Sequence, residues 1–346
     1  MRIVILLAVL IFLGLYSSCG APESNERRLP EASRSGYVLA PKEGEVLMTK
    51  SKRGAITIKV SPKTGSSELA MGTQRLSPGS KIPVHVHYTA DEILFIHRGS
   101  GHGRVGDSVA ELQEGSTMFV PAGVWHGVEN SDEVMELLWY VTPGGLDEFF
   151  RDLDSATVAG TQKLTPEEVE EIAHKHGDSY KPPSALTVEA RGGAAHQPST
   201  SRGYVLKYGE GEDTSPAGDG SYITKASPRT GTQGAVMFYD EETAGETSGI
   251  HYHTKADEFF YVLEGRGTIM IGDQETLIEA GDTIVVLVGE DHRITSSDDD
   301  PLRIVYLLDK PGLEEQFRLK LDRTKMTLDE FNKIVEKFGT VYKSFE

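Results

Sequence analysis

Two stretches of this 346-residue chain carry one spacing of histidine, glutamate and glycine, so the chain is bound to build the same site twice. The first runs Gly79, His85, His87, Glu92, Gly99, and after fifteen intervening residues Gly115, Pro121, Gly123, His126, Asn130. The second runs Gly245, His251, His253, Glu258, Gly265, then Gly281, Leu287, Gly289, His292, Ser296. The offset is 166 residues (251 − 85 = 166).

The repetition extends well beyond these residues. The string Gly36-Tyr37-Val38-Leu39 returns as Gly203-Tyr204-Val205-Leu206, and the segment after Pro143 resembles the one after Pro311. Each half then shows a helix start. Thr165 and Thr327 stand as N-caps with Glu168 and Glu330 three residues on, Pro166 fits a first helical position, and Gly177 and Gly339 mark the stops. One domain has been duplicated together with its C-terminal helices. The bodies read as strands: Ile56 to Val60, Thr268 to Ile271, Thr283 to Val288, Val134 to Val141 and Leu302 to Leu308 are β-branched or apolar runs between turn signals. Short strands at this spacing indicate an all-β sandwich or barrel. The division expected is 1–19 signal peptide, 20–35 flexible tether, 36–184 N-terminal domain, 185–201 linker and 202–346 C-terminal domain.

A net charge of −18 disfavours nucleic acid and anionic lipid as partners. Met1-Arg2 opens a run, Ile3 to Tyr16, that is too short to span a bilayer and right for the apolar core of a signal peptide. Ser17, Ser18, Cys19 and Gly20 follow, and small residues before a cysteine resemble a bacterial lipobox. Cys19, the single cysteine, is the expected lipidation site. The expected product is exported, a membrane-anchored lipoprotein or a periplasmic or extracellular protein, touching the membrane only through that anchor.

The spacing has a chemical reading. Side chains two apart on a strand share a face, so His85 pairs with His87 and His251 with His253. A turn over Tyr88 to Asp91 and an antiparallel return bring Glu92 to the same cavity, and His126 arrives from a separate, adjacent strand. Glu258 and His292 repeat the arrangement. Three imidazoles and one carboxylate suit Fe²⁺ or Mn²⁺ in octahedral geometry with two positions open; Zn²⁺, Ni²⁺ and Co²⁺ are chemically acceptable. The expectation is one divalent metal per domain. By alternation, Leu94, Ile96, Phe260 and Val262 face with the glutamates, while Ile93, Phe95, Phe259 and Tyr261 point outward and are apolar too, so both faces are covered. The same alternation turns His97 away from the ligands. His174 and His176 close a helix where cations suit the dipole.

The pattern G-x5-H-x-H-x4-E-x6-G followed by G-x5-P-x-G-x2-H-x3-N resembles the cupin signature. The first copy fits every position, and the second has Leu287 for proline and Ser296 for asparagine. The resemblance implies two tandem cupin barrels (double-stranded β-helix, jelly-roll), each followed by short C-terminal helices. It also implies a metal-dependent oxidoreductase similar to the quercetinase-like bicupins, a dioxygenase acting on a small chelating phenolic such as a flavonol, with Glu92 or Glu258 as a base. Two alternatives differ in class. An oxalate-decarboxylase-like lyase or oxidase needs a cation near the metal, and alternation brings none of Arg104, Arg266 and Arg293 to the cavity. A non-catalytic ligand-binding envelope lipoprotein needs no open site. Either a monomer or a homo-oligomer of bicupins is compatible with this organisation.

Overall fold

A computed structural model describes residues 35–47, 54–66, 68–131, 133–159, 164–181, 202–216 and 220–346. The expected signal peptide, Cys19, most of the tether and the linker lie outside the described residues. Among the described residues no helix is long and apolar enough to cross a membrane.

Each half is a barrel of two facing antiparallel sheets, one of seven strands and one of five. In the first, the central strands of the larger sheet are Asp91–Arg98, Met135–Thr142 and Ala70–Leu76, paired in that order. The smaller sheet centres on Lys81–His87, His126–Asn130 and Gly101–Val105. The second half repeats this with Glu258–Glu264, Leu302–Leu308 and Val236–Glu242 facing His251–His253, His292–Ser296 and Arg266–Ile271. Both helix starts form as the residues dictate. Thr165 and Thr327 accept from the backbone N–H of Glu168 and Glu330, whose carboxylates reach back, and the helices run Pro166–Lys175 and Leu328–Val335. After each helix the chain returns to its barrel, where Asp178–Ser179 pairs with the His85–His87 strand end and Thr340–Tyr342 pairs with His251–His253.

Two short strands cross the domain boundary. Tyr37–Leu39, assigned from sequence to the N-terminal domain, pairs with Thr283–Val286 of the second barrel. Tyr204–Leu206 pairs with Thr117–Val120 of the first. The halves therefore exchange their first strands, which edge pairing favours because it covers backbone groups an open sheet would leave bare. Lys59, fully buried, donates to the carbonyls of Ala40, Pro41 and Glu43 and so holds the loop behind the exchanged strand. Burial pushes its ammonium down to about 8.

The outward residues meet as alternation requires. Phe95 and Phe259 are 1% and 0% exposed and lie in a single apolar cluster with Ile93, Tyr140, Tyr239 and Tyr261, which fuses the backs of the two larger sheets. Leu94, Ile96, Phe260 and Val262 fill the separate barrel interiors. His97 sits at the seam, its ring 5.4 Å from that of Tyr261.

Candidate metal centres

His85 lies opposite His126 in adjacent strands of the smaller sheet. His87, two residues on, shares the face of His85. Glu92 arrives differently from the hairpin return expected of the spacing. Its strand pairs with Thr117–Val120 and Met135–Thr142 in the larger sheet, so Tyr88 to Ala90 carry the chain across the barrel. The carboxylate thus faces the imidazoles from the opposite wall. One ligand atom from each of His85, His87, Glu92 and His126 lies within 4.8 Å of the others, and the same holds for His251, His253, Glu258 and His292. All eight side chains are buried.

Which ring nitrogen points inward is fixed from behind. Nδ1 of His85, His126, His251 and His292 lies 2.8–3.0 Å from the carbonyls of Pro83, Val124, Gly249 and Glu290. Each Nδ1 therefore carries the proton, and Nε2 turns to the centre as a free lone pair. His87 differs from His253. Its Nδ1 lies 2.6 Å from Asp178 Oδ1, whereas that of His253 lies 3.3 Å from the hydroxyl of Thr340. Tyr180 stacks on His85 and Tyr342 on His251, both at 4.9 Å.

The electrostatics follow from burial and convergence. Burial, and then the neighbouring imidazoles, hold His85 and His251 well below the ordinary histidine range. At His87 burial acts downward but is outweighed by Asp178 and Glu92, which push it up to about 10. Burial alone would raise Glu92 and Glu258, and the flanking imidazoles instead hold both carboxyls well below the usual range. His126 Nε2 is 2.7 Å from Glu92 Oε2, yet neither atom finds a well-aligned hydrogen bond, and His87 Nε2 and His292 Nε2 are equally without one. Buried polar atoms without partners that aim at a common point are what a cation would satisfy. The donor set fits one divalent metal per barrel.

The two substitutions in the second copy leave this geometry intact. Asn130 ties three carbonyls, those of Leu76, Ser77 and Glu133. Ser296 binds the Thr243 carbonyl and the Glu246 N–H in its place. Gly123 and Gly289, with φ of 81° and 84°, each donate to the carbonyl of the second histidine. The His85–His126 and His251–His292 ring separations are both 4.1 Å.

Residues 72–141 and 240–308 each match the Cupin domain family. The chain is built from two cupin domains. Among solved structures, a tryptophan-to-tyrosine variant of oxalate decarboxylase from Bacillus subtilis is similar over 90% of both chains, with a TM-score of 0.55 and 18% identity. The same enzyme at pH 4.6 gives 0.54 and 17%, over 90% of this bicupin and 88% of that chain. Likeness at that identity concerns the fold. Among curated relatives, the tetracenomycin polyketide synthase protein TcmJ of Streptomyces glaucescens is 28% identical over 76 residues, 22% of the bicupin and 51% of TcmJ. MJ1618 of Methanocaldococcus jannaschii is 36% identical over 56 residues, 16% of this chain and 45% of its own. The bicupin thus spans about half the length of the curated relatives it matches.

Above each cluster lies a cavity, and three of the four ligands line it: His85, Glu92 and His126 in the first, His251, Glu258 and His292 in the second. Arg104, Arg266 and Arg293 line neither, being spent on the Gly106 carbonyl, Asp300 and Glu275. His102 is exposed, His174 pairs with Glu170 and His176 with Asp152, all away from the centres. Sequence reasoning passed over Asp178, Tyr180, Thr340 and Tyr342. Their signal was present: each capped helix ends in glycine followed three residues later by tyrosine.

Proposed function

We propose that this bicupin is a mononuclear metal-dependent oxidoreductase of the dioxygenase type. Its N-terminal barrel would work on a small aromatic substrate carrying adjacent oxygens, such as a flavonol. The observation that carries this is the wall of the first cavity. Leu94, Trp139, Phe149, Phe150 and Leu153 give it an apolar, largely aromatic lining, and no arginine is among its lining residues. Such a wall suits a flat aromatic body; the lysine that lines the same cavity, Lys81, is 64% exposed, with its ammonium 3.7 Å from Glu129. Trp139 is 1% exposed and its Nε1–H has no hydrogen-bond partner, so it is a donor held for a substrate oxygen. Gly72 makes room for that indole: a Cβ there would stand 2.4 Å from the Trp139 ring.

Bound iron or manganese would supply the redox and Lewis-acid chemistry, and the similar Bacillus subtilis oxalate decarboxylase holds Mn(II) centres. The protein's own part is positional. Glu92, ionised and reaching the cavity, accepts a hydrogen bond from a substrate hydroxyl, and the apolar side chains around it limit water. Export, with lipidation at Cys19, belongs to the same proposal and would place the activity at the cell envelope.

The deciding experiment is oxygen consumption by metal-loaded protein with a flavonol and, separately, product analysis with oxalate. Uptake with the flavonol that is abolished in His87→Ala and retained in His253→Ala is expected. Turnover of oxalate with no flavonol uptake would overturn the assignment, as would metal-free protein after loading with iron, manganese or zinc.

A further inference from the structure

The two centres of one chain control for each other. In both, Nδ1 of the first and third histidines meets a backbone carbonyl at 2.8–3.0 Å. In both, a tyrosine stacks on the first histidine at 4.9 Å. The contrast falls on the second histidine. Nδ1 of His87 lies 2.6 Å from the Asp178 carboxylate, and Nδ1 of His253 lies 3.3 Å from the Thr340 hydroxyl. These four residues are at most 4% exposed. Asp178 and Thr340 occupy one backbone frame. Each follows the glycine after the capped helix, Gly177 or Gly339, and each is the register partner of its histidine. The carbonyls of those glycines accept from the N–H of Tyr88 and Thr254, the residue after each histidine, at 2.9 and 2.7 Å. The side chain at this position can therefore change without moving the imidazole it backs.

When Nε2 is given to a metal, Nδ1 carries the ring proton and donates it backwards. A carboxylate acceptor draws that proton more strongly than a neutral hydroxyl does, and leaves more electron density on Nε2. It also puts a negative charge behind the ring, where burial keeps water from screening it. Both effects favour a trivalent over a divalent metal. We propose that Asp178 sets the redox poise of the N-terminal centre, holding it toward the trivalent state, and that Thr340 leaves the C-terminal centre without that bias. Asp178 is a positioning residue, acting through His87. The inference deepens the oxidoreductase reading of the first barrel, yet it rests only on that barrel holding a redox-active metal. The couple is a one-electron one: M²⁺ gives M³⁺ and an electron that passes to an acceptor, hexacyanoferrate(III) in the test below. The cavity walls differ as well. Asp240, Glu242 and Gln316 line the second, where the sequence of the first barrel has Gln74, Leu76 and Phe149, and Arg323 lines the second too. Each comparison is therefore made within one centre.

The full chain is loaded with Fe²⁺ under anaerobic conditions in two forms, His253→Ala, which keeps the first centre, and His87→Ala, which keeps the second. Titration with hexacyanoferrate and mediators, followed by the Fe³⁺ electron paramagnetic resonance signal, gives one midpoint potential for each. Adding Asp178→Asn to the first form raises its midpoint by about 59 mV or more, the one-electron equivalent of a tenfold loss of preference for Fe³⁺. Adding Thr340→Asp to the second form lowers its midpoint, and Thr340→Asn, neutral and of the same size as Asp, does not. An unmoved midpoint in Asp178→Asn with iron retained overturns the proposal. Should that variant release its iron, the second centre decides: a midpoint in Thr340→Asp no lower than in Thr340→Asn overturns it equally. The midpoints are read without substrate. Failure of flavonol uptake therefore leaves a shifted midpoint standing, and an unmoved midpoint leaves the flavonol reading standing.

Discussion

Replacing Phe95 by alanine tests whether the two barrels are one folding unit. Phe95 is 1% exposed, stacks on Tyr239 of the other half at 6.4 Å, and sits in the cluster that joins the larger sheets. It neither lines a cavity nor contacts a ligand, so its loss is a packing loss. An aromatic ring of this kind buries about 150–250 Å². At about 25 cal/mol per Å² that corresponds to roughly 4–6 kcal/mol, and measured losses for buried Phe→Ala are about 3–5 kcal/mol once the site relaxes. The exchanged strands Tyr37–Leu39 and Tyr204–Leu206 tie each barrel to the other's sheet. The loss should therefore be felt by both halves at once. By differential scanning calorimetry, the parent should unfold in one transition and Phe95→Ala in one transition roughly 5–10 °C lower. Two resolved transitions, of which only the lower moves, would refute the coupling. A shift below about 1 °C would refute the burial argument itself.

Two further outcomes concern the first metal centre. His87 is pushed up to about 10 in the metal-free protein, and a metal ligand must be neutral, so loading this site at pH 8 displaces about one proton. Its affinity therefore rises with pH until about 10 and levels there. Titration of Co²⁺ in two buffers of different ionisation enthalpy measures the proton count, and zero release at the tighter or weaker site alike would contradict the charge assigned to His87. Asp178→Asn keeps an acceptor at 2.6 Å from Nδ1 and removes its charge. The difference between a charge-assisted and a neutral bond, roughly 1–2 kcal/mol, lowers first-site affinity about five- to thirtyfold where His87 is neutral, and spares the second site. An equal change at both sites, or a change at neither, counts against Asp178 as the positioning residue.

The ligand set was legible because strand alternation is a strict period of two and because it occurs twice. His85 and His87 could only share a face, and the 166-residue echo removed coincidence. Phe95 and Phe259 were readable for the same reason, as apolar residues on the face that the glutamates do not use. What alternation cannot tell is which sheet a strand joins. Glu92 and His87 are five residues apart in both a hairpin and a crossing, and only the closed barrel distinguishes them. The strand exchange was illegible for a related reason, since Gly36 to Leu39 reads as a strand whichever edge it pairs with. The backing residues Asp178 and Thr340 were hidden because a hydrogen bond across 91 or 87 residues leaves no local period.

The duplicated halves also show how one scaffold separates binding from specificity. The ligands sit on backbone whose position is set by glycines and by carbonyl contacts to Nδ1, features that do not depend on the wall. The wall is set by inward positions on Ala70–Leu76 and Val236–Glu242, and by the helices that follow each barrel. Exchanging Gln74 and Leu76 for Asp240 and Glu242 changes the wall without moving an imidazole, as the equal 4.1 Å ring separations show. Phe149 and Gln316 lie on those helices rather than on a ligand strand, so a change there costs no barrel hydrogen bond. Gln74→Asp and Leu76→Glu together should accordingly leave the metal content of the first barrel unchanged. Loss of metal on that exchange would mean that wall and centre are not separable in this fold.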